Sequence, residues 1–134
     1  MIRTRSSVAS DDGSELGRHI DLIERSYEYL LAYAAQGRQD ERGSEARPML
    51  EQLHAALGEL GRAARTALAG AVAANPDVHA YLDAVDADAR IARGAVALVL
   101  SRPAISSLLV DNLNASVHLR AVLTDAFLLD QARR

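Results

Sequence analysis

The chain has 134 residues, of which 49% are hydrophobic and 25% are charged, and its formal net charge is −3. This length and composition are those of one ordinary globular domain. Non-specific binding of nucleic acid needs a basic surface, so the acidic balance excludes that class and we expect no nucleic-acid partner.

Two residue types are absent from the sequence. There is no cysteine, and all 15 basic residues are arginine. The lack of cysteine excludes a disulfide, a thiolate nucleophile and a cysteine-type zinc site. The lack of lysine excludes a Schiff-base lysine and a P-loop lysine. An alanine-rich chain with arginine in place of lysine is also typical of a GC-rich bacterial genome.

No stretch of the chain predicts a targeting signal or a membrane span. Arg3 and Arg5 are not followed by an apolar segment, as they would be in a signal peptide. The most hydrophobic run, residues 91–100, contains Arg93 and is too short to cross a bilayer. We therefore expect a soluble, cytoplasmic protein that does not contact a membrane.

Residues 1–13 are rich in Arg, Ser and Asp, and this composition predicts a flexible, disordered tail. Helix 1 is predicted from residue 14 to about residue 36, where Gly37 ends it. Its apolar residues alternate steps of four and three, which is the spacing of a helix packed in a bundle. A second, weaker apolar stripe lies outside this spacing and is predicted to be an interface: Leu22, Tyr29 and Tyr33.

Residues 37–47 are charged and contain two glycines, so we expect a loop that is the most mobile internal segment. Helix 2 follows, with leucines and alanines at bundle spacing from Leu50 to Ala71. Small residues such as Gly61 in its second half predict a close approach to a neighbouring helix. The sequence Asn75-Pro76-Asp77 predicts the boundary with helix 3.

Helix 3 is predicted to run to Arg102, because Pro103 follows there. Its charged residues, such as Asp86 and Arg90, are expected to face solvent, where they form an i,i+4 pair. Its apolar residues again have bundle spacing and are expected to face the core: Val78, Leu82, Val85, Ala89, Ala92, Val96 and Val99.

Helix 4 is predicted over residues 104–131 and is apolar around most of its circumference. A helix that is apolar on two sides is expected to be buried on two sides, once in its own bundle and once against another chain. Four residues of its second face are therefore predicted to form an interface: Val110, Leu113, Val117 and Leu128. The four helices and their short connections predict an all-α, antiparallel four-helix bundle over residues 14–134.

A thin polar seam runs between the two apolar faces of helix 4. Asp111, Asn114 and His118 lie on one side of the helix, so they could converge on a small ligand pocket together with Glu24 of helix 1. His118 would then act as an acid–base group. The simpler interpretation is that the seam is the solvent-exposed strip of a buried helix.

Two other polar features of the sequence are candidate sites. Glu51 and His54 have the i,i+3 spacing of a di-iron ligand pair, but such sites need two Glu-x-x-His pairs and this sequence has only one. We expect no metal or cofactor; if a metal is held, Glu51 and His54 are its candidate ligands. Asn112 and Ser116 interrupt the main apolar face of helix 4, which predicts buried polar residues that set register, or alternatively contact a ligand.

These patterns predict a protein-interaction module rather than a catalyst. It would be an adaptor, regulator or assembly factor that forms a homo-oligomer, most simply a dimer, through helices 1 and 4, and that binds another protein. The second hypothesis is a ligand- or metal-binding bundle; a third is an enzyme with His118 as general base. The second hypothesis requires one interior pocket lined by five residues: Glu24, Glu51, His54, Asp111 and His118.

Overall fold

The computed structural model describes the backbone of residues 2–134 and the side chains of residues 15–134. Every regular element in this part of the chain is an α-helix, so the predicted all-α class is confirmed. None of these helices is both long and apolar enough to cross a bilayer. Residues 1–13, which the sequence predicts to form a flexible tail, lie outside the residues whose side chains are described. The helices are α1 (Ile2–Ala34), α2 (Ala46–Ala67), α3 (Ala69–Ala74), α4 (Pro76–Leu100), α5 (Ser107–Ala115) and α6 (Val117–Ala132).

The described chain forms six helices where the sequence predicts four, because two predicted helices are broken. Leu68, with φ of −109° and ψ of 21°, separates α2 from the short α3. Ser116 has an extended ψ of 130° and separates α5 from α6. Its side-chain oxygen accepts a hydrogen bond from the backbone N–H of His118, which caps the start of α6.

The break at Ser116 changes which face of the predicted helix 4 is buried. On one continuous helix, the buried residues of α5 and those of α6 would lie roughly half a turn apart. One apolar face of the predicted helix 4 is therefore buried along α5, and the other is buried along α6, both within this chain. This corrects the expectation that a second chain must cover one whole face. The buried residues are Ser107, Val110, Leu113 and Asn114 in α5, and Leu119, Val122, Leu123, Ala126 and Leu129 in α6.

Neighbouring helices pack side by side around one core. α1 packs against α2, α5 and α6, and α4 packs against α2 and α6. Successive contacts along these helices show that neighbours run antiparallel. Glu15 of α1 pairs with Arg62 late in α2, whereas Tyr29, further along α1, accepts from the backbone N–H of Glu45 just before α2. In the same way, Gly58 of α2 lies beside Arg93 of α4, whereas Arg65, further along α2, pairs with Asp83 earlier in α4.

The small residue Gly61, in the second half of the predicted helix 2, makes room for a side chain of the neighbouring helix. This glycine is buried in α2 against Asp86 of α4, and a Cβ atom added to it would overlap the Oδ1 atom of Asp86. Asp86 in turn accepts a hydrogen bond from Arg65, one turn further along α2. A side chain at position 61 would therefore displace the Asp86 carboxylate and break this ion pair.

The loop between α1 and α2 is attached to the end of α4 by one carboxylate and one guanidinium. The Glu41 Oε1 atom accepts from the backbone N–H of Ile105 at 2.8 Å, and Oε2 accepts from Arg47 at 2.8 Å. Arg47 also donates to the carbonyl oxygens of Leu100 and Arg102 at 3.0 and 3.1 Å. We call these five residues the loop clasp. The loop expected to be the most mobile internal segment is thus held at Glu41, and its start is held where Arg38 exchanges two hydrogen bonds with Ser107.

Candidate functional site

The polar seam predicted on helix 4 is divided by the structure. Asp111 and His118 are exposed, whereas Asn114 is only 5% exposed. The Nδ2 atom of Asn114 donates to the carbonyl oxygen of Leu30 in α1 at 3.1 Å, and its Oδ1 atom is buried without a partner in the described structure. Asn114 therefore joins α5 to α1 and does not share a common pocket with Asp111 and His118.

Glu24, the fourth residue of the predicted ligand site, lies instead in a small groove between α1 and α6. Its pKa is raised, first because it is partly buried and second because of nearby negative charges, of which Asp130 is the largest. The groove has a volume of about 210 Å³ and contains neither Asp111 nor His118 among its described lining. It is lined by Glu24, Tyr27, Glu28, Leu123 and Phe127.

The candidate metal ligands are not brought together with further ligands. Glu51 is exposed on α2, while His54 is partly buried and its pKa is lowered by this burial and by the positive charge of Arg93. Among the described residues, no group of three or more His, Asp or Glu side chains could hold a metal ion. Because Glu51, Asp111 and His118 are all exposed, the predicted interior pocket is wrong.

Three of the predicted interface residues lie in the core of the chain itself. Tyr33 and Val110 are fully buried and Leu113 is nearly so, which means that they are not available to a second chain. Leu22 and Tyr29 are half-buried and pack against the same core. The physical reason is that helix 1 is covered by both α2 and α5, so its second stripe is used inside the molecule.

The two predicted register-setting residues have other roles. Asn112 is exposed, so it is not the buried polar residue that the continuous helix predicted. Ser116 is half-buried and caps α6 at the break. Both corrections have the same cause, since the prediction extended one straight helix through Ser116.

The outer face of α6 retains the other two predicted interface residues. Val117 is 69% exposed and Leu128 is 55% exposed. Ala121 and Thr124 lie between them at steps of four, three and four, so the four side chains form one outer stripe on α6. A shallow depression of about 390 Å³ borders this stripe at the break, lined by Ala115, Val117, Arg120, Ala121 and Thr124.

The outer face of α4 carries a second apolar stripe, which sequence reasoning missed. Ile91 is 48% exposed and Leu98 is 67% exposed, although both are large and apolar. Its signal in the sequence is a second bundle spacing opposite the buried one, but this signal is weak because three of its six members are alanines and one is glycine. We call the set the α4 stripe: Ala80, Ala84, Ala87, Ile91, Gly94 and Leu98.

A polar cluster lies between α4 and α6, beside these outer faces. Tyr81 donates to the Oδ1 atom of Asp125 at 3.0 Å, and the Oδ2 atom of Asp125 is buried without a partner in the described structure. Burial, and after it the neighbouring carboxyl group of Asp88, raise the pKa of Asp125 to about 6, although the hydrogen bond from Tyr81 acts in the opposite direction. Asp125 can therefore take up a proton near neutral pH. No pattern in the sequence indicates the partners of Asp125 on α4.

We compared the chain with protein-family models, with curated proteins and with solved structures, and none of them matches.

Proposed function

We propose that this protein is a helical protein-interaction module, an adaptor, regulator or assembly factor that acts as a homo-oligomer. The observation that carries the proposal is the exposure of Val117 and Leu128 on the outer face of α6. Large apolar side chains aligned at helical spacing on a surface mark a binding site for another protein. The sequence predicted an interface at the same two residues.

The proposal includes an architecture that positions this face. α2 and α3 follow one another along one side of the molecule, and α5 and α6 do so along another. If α2 with α3, and α5 with α6, are each counted as one broken helix, the molecule has four long helices. α1 contacts α2, α2 contacts α4, α4 contacts α6, and α6 contacts α1, which supports an antiparallel four-helix bundle. The outer face of α6 is then free for a partner. A cytoplasmic location is part of the proposal, as the sequence predicts.

The chemistry of the α6 face favours an amphipathic helix as the bound element of the partner. The stripe is narrow and apolar along almost three turns, and its steps of four, three and four match the side-chain rows of a second helix. Arg120 lines the depression beside Val117 and can pair with an acidic residue at the edge of such a helix.

Photo-crosslinking tests the proposal directly. p-Benzoylphenylalanine placed at Val117 or at Leu128, in the cells that make the protein, is expected to give adducts of defined mass. The same group at Gln52, which is exposed on α2, serves as the matched control and is expected to give none. If positions 117 and 128 react no more than position 52, the α6 face is not a binding surface and the proposal is wrong.

A further inference from the structure

Two copies of the α4 stripe that run in opposite directions have complementary side-chain sizes. Its six positions are arranged symmetrically about the height of Ala89, the midpoint of the stripe. In two antiparallel copies, Ala80 of one would meet Leu98 of the other, and Ala87 would meet Ile91. Each large side chain is thus opposite a small one, as close helix packing requires.

The charges of α4 have the same reversed symmetry. Residues 76–89 contain four aspartates and no arginine, whereas residues 90–102 contain three arginines and no acidic residue. Asp83 and Asp86 already pair with Arg65 of α2 in the same chain. In two antiparallel copies, the acidic charge that remains, from Asp77 and Asp88, would lie toward the basic half of the other helix. Asp77 lies twelve residues before Ala89, and Arg102, just after the end of α4, lies thirteen residues after it. In two antiparallel copies these opposite charges would therefore lie at the same end of the interface.

We propose that two copies of this chain associate through their α4 stripes, antiparallel and around a two-fold axis at the height of Ala89. The inference rests on the proposed function, because it names the surface through which the homo-oligomer forms. An interface of this kind uses the same patch on both copies and closes as a dimer. It leaves the outer face of α6 available to a different protein.

On either side of its centre, the stripe has positions where the two backbones can approach closely. Ala84 of one copy would meet Gly94 of the other. A Cβ atom added to Gly94 contacts no other described atom within 4 Å, so this part of α4 lies open on the surface. Small residues at such a crossing let two helices pack at the short end of the usual range, about 8 Å between axes.

Multi-angle light scattering across a dilution series tests the association. The wild type is expected to reach twice the mass of one chain as its concentration rises. Leu98→Glu places a charge inside the interface and is expected to raise the dissociation constant roughly tenfold or more. Leu108→Glu is the matched control, because Leu108 is 69% exposed on α5, and it is expected to behave as wild type.

Disulfide trapping tests the register, and the chain is suited to it because it has no cysteine of its own. Ala84→Cys combined with Gly94→Cys is expected to give a covalent dimer on mild oxidation. Within one chain these positions are about 15 Å apart along the helix, so they cannot form a disulfide internally. Ala80→Cys with Gly94→Cys is out of register by one turn and is expected to crosslink much less, as is each single variant.

Three results would overturn the inference: a wild-type monomer at every concentration, equal effects of the changes at Leu98 and Leu108, or equal crosslinking in and out of register. Efficient crosslinking by Ala84→Cys alone would indicate a parallel arrangement and would also contradict it. The proposed function is tested separately. Adducts at Val117 in a protein that stays monomeric would support protein binding by α6 and remove only the α4 dimer.

Discussion

Gly61 marks a point where the packing of α2 against α4 leaves no room for a side chain. Because a Cβ atom at this position would overlap the Oδ1 atom of Asp86, Gly61→Ala must displace the Asp86 side chain and break its ion pair with Arg65. We expect a net loss of about 1 kcal/mol in the free energy of unfolding, because this overpacking outweighs the helix preference of alanine. Urea unfolding followed by circular dichroism measures it.

Gly70→Ala is the control for this prediction. Gly70 lies in α3, and a Cβ atom there would meet no other described atom within 4 Å. Alanine is favoured over glycine in a helix, so this change is expected to stabilise the fold by about 0.5–1 kcal/mol. If both variants gain stability, the close approach at Gly61 does not constrain the packing.

Asp125 makes the stability of the fold depend on pH near neutrality. Its pKa is about 6 in the folded chain, above the ordinary value of 3.8, so between these values the folded state holds a proton that the unfolded state has released. Stability is therefore expected to rise as the pH falls through 6 and to level off near 4. Since Asp125 is partly exposed and screened, we expect a contribution of about 1–2 kcal/mol.

Two variants test this pH dependence in urea titrations at pH of about 5 and about 7.5. Asp125→Asn cannot ionise, so it is expected to stabilise the fold at the higher pH and to flatten the profile. The hydrogen bond from Tyr81 lowers the pKa of Asp125, so Tyr81→Phe is expected to raise this pKa further. A wild-type profile that survives in Asp125→Asn would assign the pH dependence to another group.

At the scale of the elements, the loop clasp joins the start of α2 to the end of α4. Arg47 is the group that makes most of these bonds, to Glu41 and to the carbonyl oxygens of Leu100 and Arg102. Arg47→Met is expected to cost about 1–2 kcal/mol, because a partly buried carboxylate and two carbonyl oxygens lose their donor. Faster hydrogen exchange at the amide of Ile105 is the local sign of the same loss.

Arg42→Met is the matched control for Arg47→Met. The side chain of Arg42 is 88% exposed and pairs with Asp40 within the same loop. Its removal is expected to change stability by less than about 0.5 kcal/mol, as is usual for a surface pair. Equal losses in the two variants would show that the loop clasp adds nothing beyond ordinary surface charge.

The sequence predicted the elements of this fold better than it predicted their breaks. In α4, six of the seven residues expected to face the core are fully buried, because bundle spacing directly reports one helix face. The break at Ser116 was missed, since serine interrupts a helix only when the surrounding packing requires it. That single error carried over to Val110, Leu113 and Asn112, whose predicted positions assumed one straight helix.

At the scale of the whole molecule, the candidate site depends on which helices become neighbours. The contact of Asp125 with Tyr81 joins residues 44 positions apart, and a sequence pattern reports only one helix at a time. The α4 stripe was visible as a spacing, yet its exposure became clear only when α2 and α6 were seen to cover the other sides of α4. Helix faces were therefore predictable, whereas the partners of those faces were not.

A dimer formed through α4 would tie the thermal stability of the molecule to its concentration. Only folded chains present the α4 stripe, so association would draw the equilibrium toward the folded state by mass action. Once the dimer predominates, each tenfold rise in concentration is expected to add about 0.7 kcal/mol per chain, half of the free energy of a tenfold change. For a domain of this size the melting temperature would rise by roughly 2–3 °C.

Differential scanning calorimetry at several concentrations measures this dependence. The Leu98→Glu variant is expected to have the same melting temperature at every concentration, because the unfolding equilibrium of a monomer does not depend on protein concentration. The Leu108→Glu variant is expected to follow the wild type. A wild-type melting temperature that does not change with concentration would contradict the α4 dimer. A wild-type rise that persists in Leu98→Glu would place self-association on a different surface.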